Sequence, residues 1–383
     1  MTEQRRHELV WRTLYGPLHL LVNHNFNITH DDVRVEGPCL LVSNHVSAWD
    51  PLIVAMSLKH KQLYYVASEH LFRMGLVSKA LEYLVAPIPR RKASSGFETV
   101  KACLRRLKDG QSVGLFAEGE QSWDGRTAPI FPATGKLAKS SGATLITYRI
   151  EGAYLSLPRW GHGIRRGAVH GGVVNVYSPE QLKTMTAKEV TAAIQRDISE
   201  DAWERQRMHP VRYRGKNLAE GLERAIYLCP ACRKTNGLSS AGDTLSCTCG
   251  KRWRYTEYGT FDPPTPFQTI ADWEDWQRVT LCEDDFVHET DDALFSDDDF
   301  VLTRVLPDHT DRPMGGGKLT QYPDRIVCGL RTFPLKDIDN MAMVLSHLLL
   351  LNVSGEYWQI RAQHDVNLRK YLALWRHSRE GKK

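Results

Sequence analysis

A chain of 383 residues that is 42% hydrophobic and 25% charged has the composition of a globular protein. That composition excludes wholesale disorder and collagen-like structure, and at about 150 residues per domain the length predicts two or three units. The net charge of +5 is uneven: residues 1–210 hold 27 Lys+Arg against 20 Asp+Glu, a net of +7, and residues 211–383 hold 23 against 25, a net of −2. An anionic partner is therefore expected on the N-terminal part. Eight cysteines are too few for a disulfide scaffold of this size, and they read as reduced thiols or metal ligands.

No stretch reaches the eighteen or so uninterrupted apolar residues of a membrane span. The most apolar early segment, Leu9 to Val22, is broken by Arg12, Gly16, Pro17 and His19. A basic start at Arg5 and Arg6 is followed by no small-residue cleavage site, so secretion is set aside. Trp11, Leu14, Tyr15, Leu18, Leu21 and Val22 fall at helical spacing. Such a segment either lies in a membrane interface or packs on its own domain. From there to residue 210 apolar runs alternate with helical patterns, which predicts α/β organisation. Strands are expected at Cys39–Ser43, Leu63–Ala67, Ser112–Phe116, Thr144–Ile150 and Gly172–Val176, and helices at Pro51–Lys59, Ser95–Lys108 and Gly135–Ser140.

The chemistry begins where the first of these strands ends, at Ser43-Asn44-His45-Val46-Ser47-Ala48-Trp49-Asp50-Pro51. Asp50 before Pro51 reads as a helix N-cap. His45 and Asp50 are five apart, the wrong spacing for one helix face, but they can pair across a turn. There the Asp would fix the imidazole tautomer while the other nitrogen takes a proton from a hydroxyl. Downstream, Pro87-Ile88-Pro89-Arg90-Arg91 is a stiff segment ending in two guanidiniums suited to a phosphate. Lys101, Arg105 and Lys108 read as a solvated helix face. The strand Ser112–Phe116 runs into Ala117-Glu118-Gly119-Glu120-Gln121-Ser122, a loop position where α/β proteins place binding groups. Glu118 there either bonds an acceptor hydroxyl or makes local turn bonds. Thr134-Gly135-Lys136 lacks the flanking residues of a P-loop.

This ordered set resembles the glycerolipid acyltransferases of the lysophosphatidic acid acyltransferase type, over roughly residues 15–200. The hallmark Asn-His-x-Ser-x-x-Asp is matched by Asn44, His45, Ser47 and Asp50. The arginine block is matched by Ile88–Arg91, with the register open between Arg90 and Arg91. The Phe-Pro-Glu-Gly-Thr-Arg-Ser block is matched by Phe116, Glu118, Gly119 and Ser122, and the fourth block by Leu145–Gly152. The chain departs from the pattern at Ala117, Glu120, Gln121 and Thr147. Without the third-block arginine, Arg90, Arg91 or the basic run Arg159–Arg166 would have to meet an acceptor phosphate. The resemblance implies acyl transfer from acyl-CoA or acyl carrier protein to a lysophospholipid such as 1-acylglycerol-3-phosphate. His45 would be the general base and Asp50 its orienter, with Asn44, Ser47, Arg90, Arg91, Glu118 and Gly119 at the substrate. No catalytic cofactor is expected. The expected partners are donor, acceptor and a membrane surface, without nucleic acid, and the expected place is cytoplasmic, peripheral on the inner face of the cell membrane.

The second signal is cysteine spacing. Cys229-Pro-Ala-Cys232 and Cys247-Thr-Cys249 can supply four thiolates to one structural zinc, against the reading as two disulfides or buried thiols. Cys39, Cys103, Cys282 and Cys328 read as core thiols. The alternative to an enzyme is a non-catalytic binding protein whose zinc ribbon contacts protein or nucleic acid, with Lys251-Arg252-Trp253-Arg254-Tyr255 as the contact strip. The Pro-rich stretch Asp262–Pro266 marks a boundary. An acidic run (Asp291, Asp292, Asp297, Asp298, Asp299) then precedes β-like segments at Lys318–Gln321, Arg325–Cys328, Met341–Val344, His347–Val353 and Tyr357–Ile360, and a helix from about Asp365 to His377. The expected architecture is a mixed-sheet α/β acyltransferase domain (1–210), a zinc ribbon (226–256) and a β-rich domain like a pleckstrin-homology barrel ending in a helix (275–383).

Overall fold

The computed structural model describes residues 3–68, 71–72, 76–90, 96–283, 293–306 and 310–380. These form two compact units that part between Lys216 and Asn217. Arg91, Asp291, Asp292 and Ser95, the first residue of the second expected helix, lie outside the described residues.

In chain order the first unit contains α1 (Glu3–Asn25), β1 (Asn27–His30), β2 (Cys39–Ser43), α2 (Asp50–Ser57), β3 (Leu63–Ser68), α3 (Leu76–Val85), β4 (Ile88–Arg90), α4 (Phe97–Lys108), β5 (Ser112–Phe116), α5 (Pro132–Ser140), β6 (Thr144–Glu151), α6 (Ala153–Ser156), β7 (Ala168–Tyr177), α7 (Pro179–Thr184), α8 (Ala187–Ile198) and α9 (Ala202–Met208). The strands form one sheet in the order β1-β7-β6-β2-β5-β3-β4. It is mixed, because β6 and β7 pair antiparallel while β2 pairs parallel with both β5 and β6. All five residues of β2 are buried, as expected of a central parallel strand covered on both faces, which reads as an unbroken apolar run. β2 and β5 have the expected bounds. β1 was not foreseen, because its alternating half-buried pattern carries no apolar run and it pairs with β7 at the sheet edge.

Helix α1 packs on its own unit along one face and leaves apolar side chains exposed on the other. Trp11, Tyr15 and Leu18 are partly buried, Val22 is fully buried, and buried His7 bonds the Tyr64 hydroxyl at 3.1 Å and the Tyr83 carbonyl at 3.2 Å. Leu9, Leu14, Leu20 and Leu21 stay exposed. Among the described residues no helix is long and apolar enough to cross a membrane.

The second unit opens with a 3₁₀ turn (Leu222–Arg224) and a small antiparallel sheet of β8 (Leu238–Ala241), β9 (Thr244–Cys247), β10 (Arg252–Tyr255) and β11 (Phe261–Asp262). Helix α10 (Ile270–Thr280) starts just beyond the Pro-rich stretch. Its buried Trp273 donates to the Leu228 carbonyl at 2.9 Å, and buried Gln277 accepts from Tyr227 N at 2.8 Å. The helix thus braces the segment leading into Cys229. A second sheet follows: β12 (Phe295–Val305), β13 (Asp311–Gln321), β14 (Arg325–Cys328), β15 (Arg331–Pro334), β16 (Ile338–Val344), β17 (Leu348–Val353) and β18 (Glu356–Ala362). Its order, β15-β14-β13-β12-β18-β17-β16, is two meanders joined where β12 pairs with β18. Helix α11 (Arg369–Glu380) packs on β16, with Trp375 donating to the Ile338 carbonyl at 3.2 Å.

The acidic run was expected to precede the strands, but Asp297 to Asp299 lie inside β12. The reason is non-local. Lys370 of α11, 1% exposed, bonds Asp297 at 2.7 Å, and the Tyr371 hydroxyl donates to the same carboxylate at 2.6 Å. Removing one member of a buried ion pair strands the other charge at about 3–5 kcal/mol, whereas replacing both by apolar groups is often neutral. Lys370→Met should therefore lower the stability of this unit by about that amount, and adding Asp297→Leu should restore much of the loss. Urea unfolding of the two variants provides the check.

Candidate active site

The site is assembled at the C-terminal end of β2, where the chain leaves the sheet. Asn44 is fully buried, and its side chain imitates a strand: Nδ2 donates to the Ile150 carbonyl at 2.9 Å, and Oδ1 accepts from Ile150 N at 2.8 Å. Both ends of its amide are thus used to tie the exit of β2 to β6. Asn44 was expected at the substrate; in the structure both ends of its amide are bonded to the Ile150 backbone.

The next residue is His45. Its Nδ1 lies 2.7 Å from Asp50 Oδ2, and its side chain is 18% exposed against none for Asp50. A carboxylate only accepts, so Nδ1 carries the proton and Nε2 keeps its lone pair when the ring is neutral. Nε2 has no hydrogen-bond partner among the described residues. The ring stacks on Phe116 at 4.4 Å between centres, and Phe116 stacks on Tyr65 at 5.9 Å. Gly114 makes room for this pile, since a Cβ there would sit 2.5 Å from the Tyr65 ring.

Asp50 does not cap α2 as the sequence led us to expect. Trp49 occupies the N-cap position without a side-chain cap, and Asp50 is the first helical residue. Its oxygens turn back into the loop and accept from Val46 N at 2.6 Å, Ser47 N at 2.9 Å and Ser47 Oγ at 2.6 Å, besides His45. A negative charge at the first turn of a helix is also favoured by the helix dipole. Ser47, 1% exposed, spends its hydroxyl on Asp50 and faces inward.

The loop after β5 closes over the same backbone. Glu118 is buried, and it accepts from His45 N at 2.6 Å and from Ala128 N at 2.6 Å. Burial pushes its carboxyl up to about 8, against the downward pull of those two N–H bonds. Ser122 N adds a bond to the His45 carbonyl at 2.8 Å. The Glu118 contacts are neither turn bonds nor bonds to a ligand: it reaches His45 across 73 residues and Ala128 across 10. Gly119 sits at φ +78°, and a Cβ on it would meet both Arg90 Nη1 and the Phe131 ring at 2.7 Å. The Arg90 guanidinium lies 4.8 Å over the Phe131 ring. Burial lowers its pKa, and nearby Glu120 opposes that shift.

Of the basic run Arg159–Arg166, Arg159 reaches this loop. Its Nη1 bonds Glu120 Oε2 and the Gln121 carbonyl, each at 3.0 Å, and its guanidinium lies 4.2 Å over the Trp123 ring. Arg165 is buried over Trp160 instead. Lys101, Arg105 and Lys108 are exposed, as a solvated face requires. Sequence patterns carried no signal for the Phe116–Tyr65 stack or for Phe131, because these are contacts between separate strands and loops.

In the second unit Cys229, Cys232, Cys247 and Cys249 bring their sulfurs within 4.8 Å of one another. The contacts Cys229–Cys249 and Cys232–Cys247 are 3.8 and 3.7 Å, so neither is a disulfide. A tetrahedral ion with Zn–S bonds of about 2.3 Å needs sulfurs about 3.8 Å apart. The four thiols fit such an ion. Trp253 and Tyr255 are buried, with Arg252 and Arg254 pointing outward. The strip is therefore a strand of the small sheet whose aromatic rings point inward and offer no stacking face to a base, while its arginines face outward.

Residues 25–151 match the family model described as Acyltransferase. Two curated chloroplastic 1-acyl-sn-glycerol-3-phosphate acyltransferases, BAT2 of Brassica napus and LPAT1 of Arabidopsis thaliana, are each 28% identical to the chain over 146 residues, which is 38% of this chain. The alignments span 41% and 40% of those two proteins. The crystal structure of the 1-acyl-sn-glycerophosphate acyltransferase PlsC from Thermotoga maritima aligns with a TM-score of 0.43 at 17% identity, covering 51% of this chain and 81% of that one.

The web around Asp50 makes a specific prediction. Asp50→Ala leaves two amide N–H groups and a hydroxyl buried without an acceptor, at about 1–3 kcal/mol each. A fall in stability of several kcal/mol is expected, with a smaller fall for Asp50→Asn, and thermal unfolding of both variants measures it.

Proposed function

We propose that the chain is an O-acyltransferase that moves a fatty acyl group from a thioester, acyl-CoA or acyl carrier protein, to the hydroxyl of a lysophospholipid such as 1-acylglycerol-3-phosphate. The observation that carries this reading is the 2.7 Å bond from His45 Nδ1 to buried Asp50, which leaves Nε2 open, with Arg90 at the end of β4 lying against Gly119 of the loop that bonds the His45 backbone. The Acyltransferase match over residues 25–151 and the printed names of the two plant relatives support it.

In this mechanism His45 Nε2 takes the proton of the acceptor hydroxyl as its oxygen attacks the thioester carbonyl carbon. The C–S bond then breaks, and the imidazolium returns the proton to the departing sulfur. Asp50 holds the Nδ1 tautomer and stabilises the transient positive ring. Glu118 holds the His45 backbone, Asn44 ties the adjoining chain to β6, Ser47 steadies Asp50, and Gly119 leaves room for Arg90. Arg90 supplies a fork for the acceptor phosphate, with Arg91 next to it in sequence. The chemistry calls for no metal or redox group. The exposed leucines of α1, on a +7 half of the chain, suit peripheral binding to an anionic membrane, proposed as the inner face of the cell membrane. The four cysteines would hold a structural zinc, and the strand order with its closing helix suits a pleckstrin-homology-like barrel.

General-base catalysis contributes roughly 10²- to 10⁴-fold. His45→Ala should therefore lose at least about 100-fold in acyl transfer while the chain stays folded, with a fall in melting temperature because buried Asp50 loses one of its four donors; a variant that keeps most of its turnover refutes the assignment. Purified protein should also contain close to one zinc per chain. Cys232→Ser should lose it, and a stronger fall in stability than a surface Cys change would cause is expected, because such a site contributes folding energy directly.

A further inference from the structure

We infer that Tyr65 and Phe116 are positioning residues for the candidate base: their stacked rings, from two neighbouring strands, set the tilt of the His45 ring, and Tyr65 also holds the chain beside Asp50. The inference rests on the acyltransferase reading above and adds to its site two side chains whose effect reaches the reaction through His45.

The χ2 torsion of a histidine has broad wells. The bond from Nδ1 to Asp50 therefore holds one edge of the ring and leaves its tilt to whatever lies against its face. Phe116, itself buried, lies there, with ring centres 4.4 Å apart and planes at 21°. Tyr65 backs Phe116 at 5.9 Å, with planes at 9°. The strands dictate this order. β2 pairs with β5 at Ser43 and Phe116, and β3 pairs with β5 at Tyr65 and Gly114. Gly114 and Phe116 are two apart in β5, so they face the same side of the sheet. Tyr65 stands opposite Gly114 and leans over it toward Phe116. A glycine is needed there, since a Cβ would meet the Tyr65 ring at 2.5 Å. The Tyr65 hydroxyl donates to the Pro51 carbonyl at 2.8 Å, one residue from Asp50. Tyr65 thus acts on His45 through Phe116 and on Asp50 through Pro51.

Tilt matters because Nε2 must meet the acceptor hydroxyl in line, and errors of orientation cost rate. Charge matters as well. The face of an aromatic ring carries partial negative charge and attracts a cation within about 6 Å of its centre. The His45 ring becomes positive as it takes the proton, so this attraction grows in the transition state and favours kcat.

The test uses the full chain, 1-acylglycerol-3-phosphate as acceptor, and acyl-CoA and acyl carrier protein as donors in separate assays, with circular dichroism to confirm that each variant is folded. Phe116→Leu keeps an apolar cover without a ring face and should lower kcat about tenfold. Tyr65→Leu should lower it about three- to tenfold. KM should change little in both. Tyr65→Phe keeps the ring and loses the bond to Pro51, so its kcat should lie between those of wild type and Tyr65→Leu. Gly114→Ala keeps both rings but pushes Tyr65 aside, and kcat should fall there too. On a His45→Ala background neither leucine variant should cause further loss, because the pile acts through that ring. Changes in kcat below about twofold in Phe116→Leu, Tyr65→Leu and Gly114→Ala alike, a loss carried by KM, or a full additional loss on His45→Ala overturns the positioning role alone. Transfer from neither donor by folded wild type overturns the acyltransferase reading and this inference with it.

Discussion

The candidate site depends on one buried carboxylate. Asp50 has no exposed surface, and it gathers four donors: His45 Nδ1, the amides of Val46 and Ser47, and the Ser47 hydroxyl. A charge placed out of water is tolerated only when its lone pairs are filled. The loop between β2 and α2 is therefore shaped around the need to satisfy Asp50. That same need fixes the imidazole tautomer and leaves Nε2 facing outward. The geometry of the candidate site and local folding are one constraint here.

Two further ties make that loop rigid. Asn44 extends the β2–β6 pairing by side chain after the strand has ended, and Glu118 bridges the backbones of His45 and Ala128. Each is a polar group spent inside the protein, so the chain gains precision at His45 and gives up direct contacts to a ligand. Around the loop after β5, Arg90 stacks on Phe131 and Arg159 pairs with Glu120.

The second unit uses the same device for a different end. The segment entering the first cysteine pair is held by Gln277 and Trp273, and Asn236, beyond that pair, donates to the Ser296 carbonyl of β12 at 2.9 Å. Lys370 then joins Asn236 to Asp297. The cysteine ribbon and the large sheet consequently share buried polar contacts within one compact unit, so loss of order in one propagates to the other.

Much of this was readable along the chain. The central strands β2 and β5, the His45–Asp50 spacing and the two cysteine pairs are local patterns. A buried parallel strand needs a continuous apolar run, and a four-thiol site needs paired cysteines at turns. What the sequence could not decide were the partners of groups that have several equivalent choices. Asp50 looked like a cap, yet its better partners lie upstream in the loop. Glu118 looked ready for a ligand, yet two amides reach it first. Asp297 was expected in an acidic run ahead of the strands, yet it lies inside one and pairs with Lys370, 73 residues away. Arg159 was one basic residue among several until the fold set it against Glu120. Sequence by itself determined which residue types are present and where the periodic elements run. Only the tertiary structure decided which polar group meets which, because a hydrogen bond or ion pair is short and directional, and residues distant in the chain come within its range only once the sheet has formed.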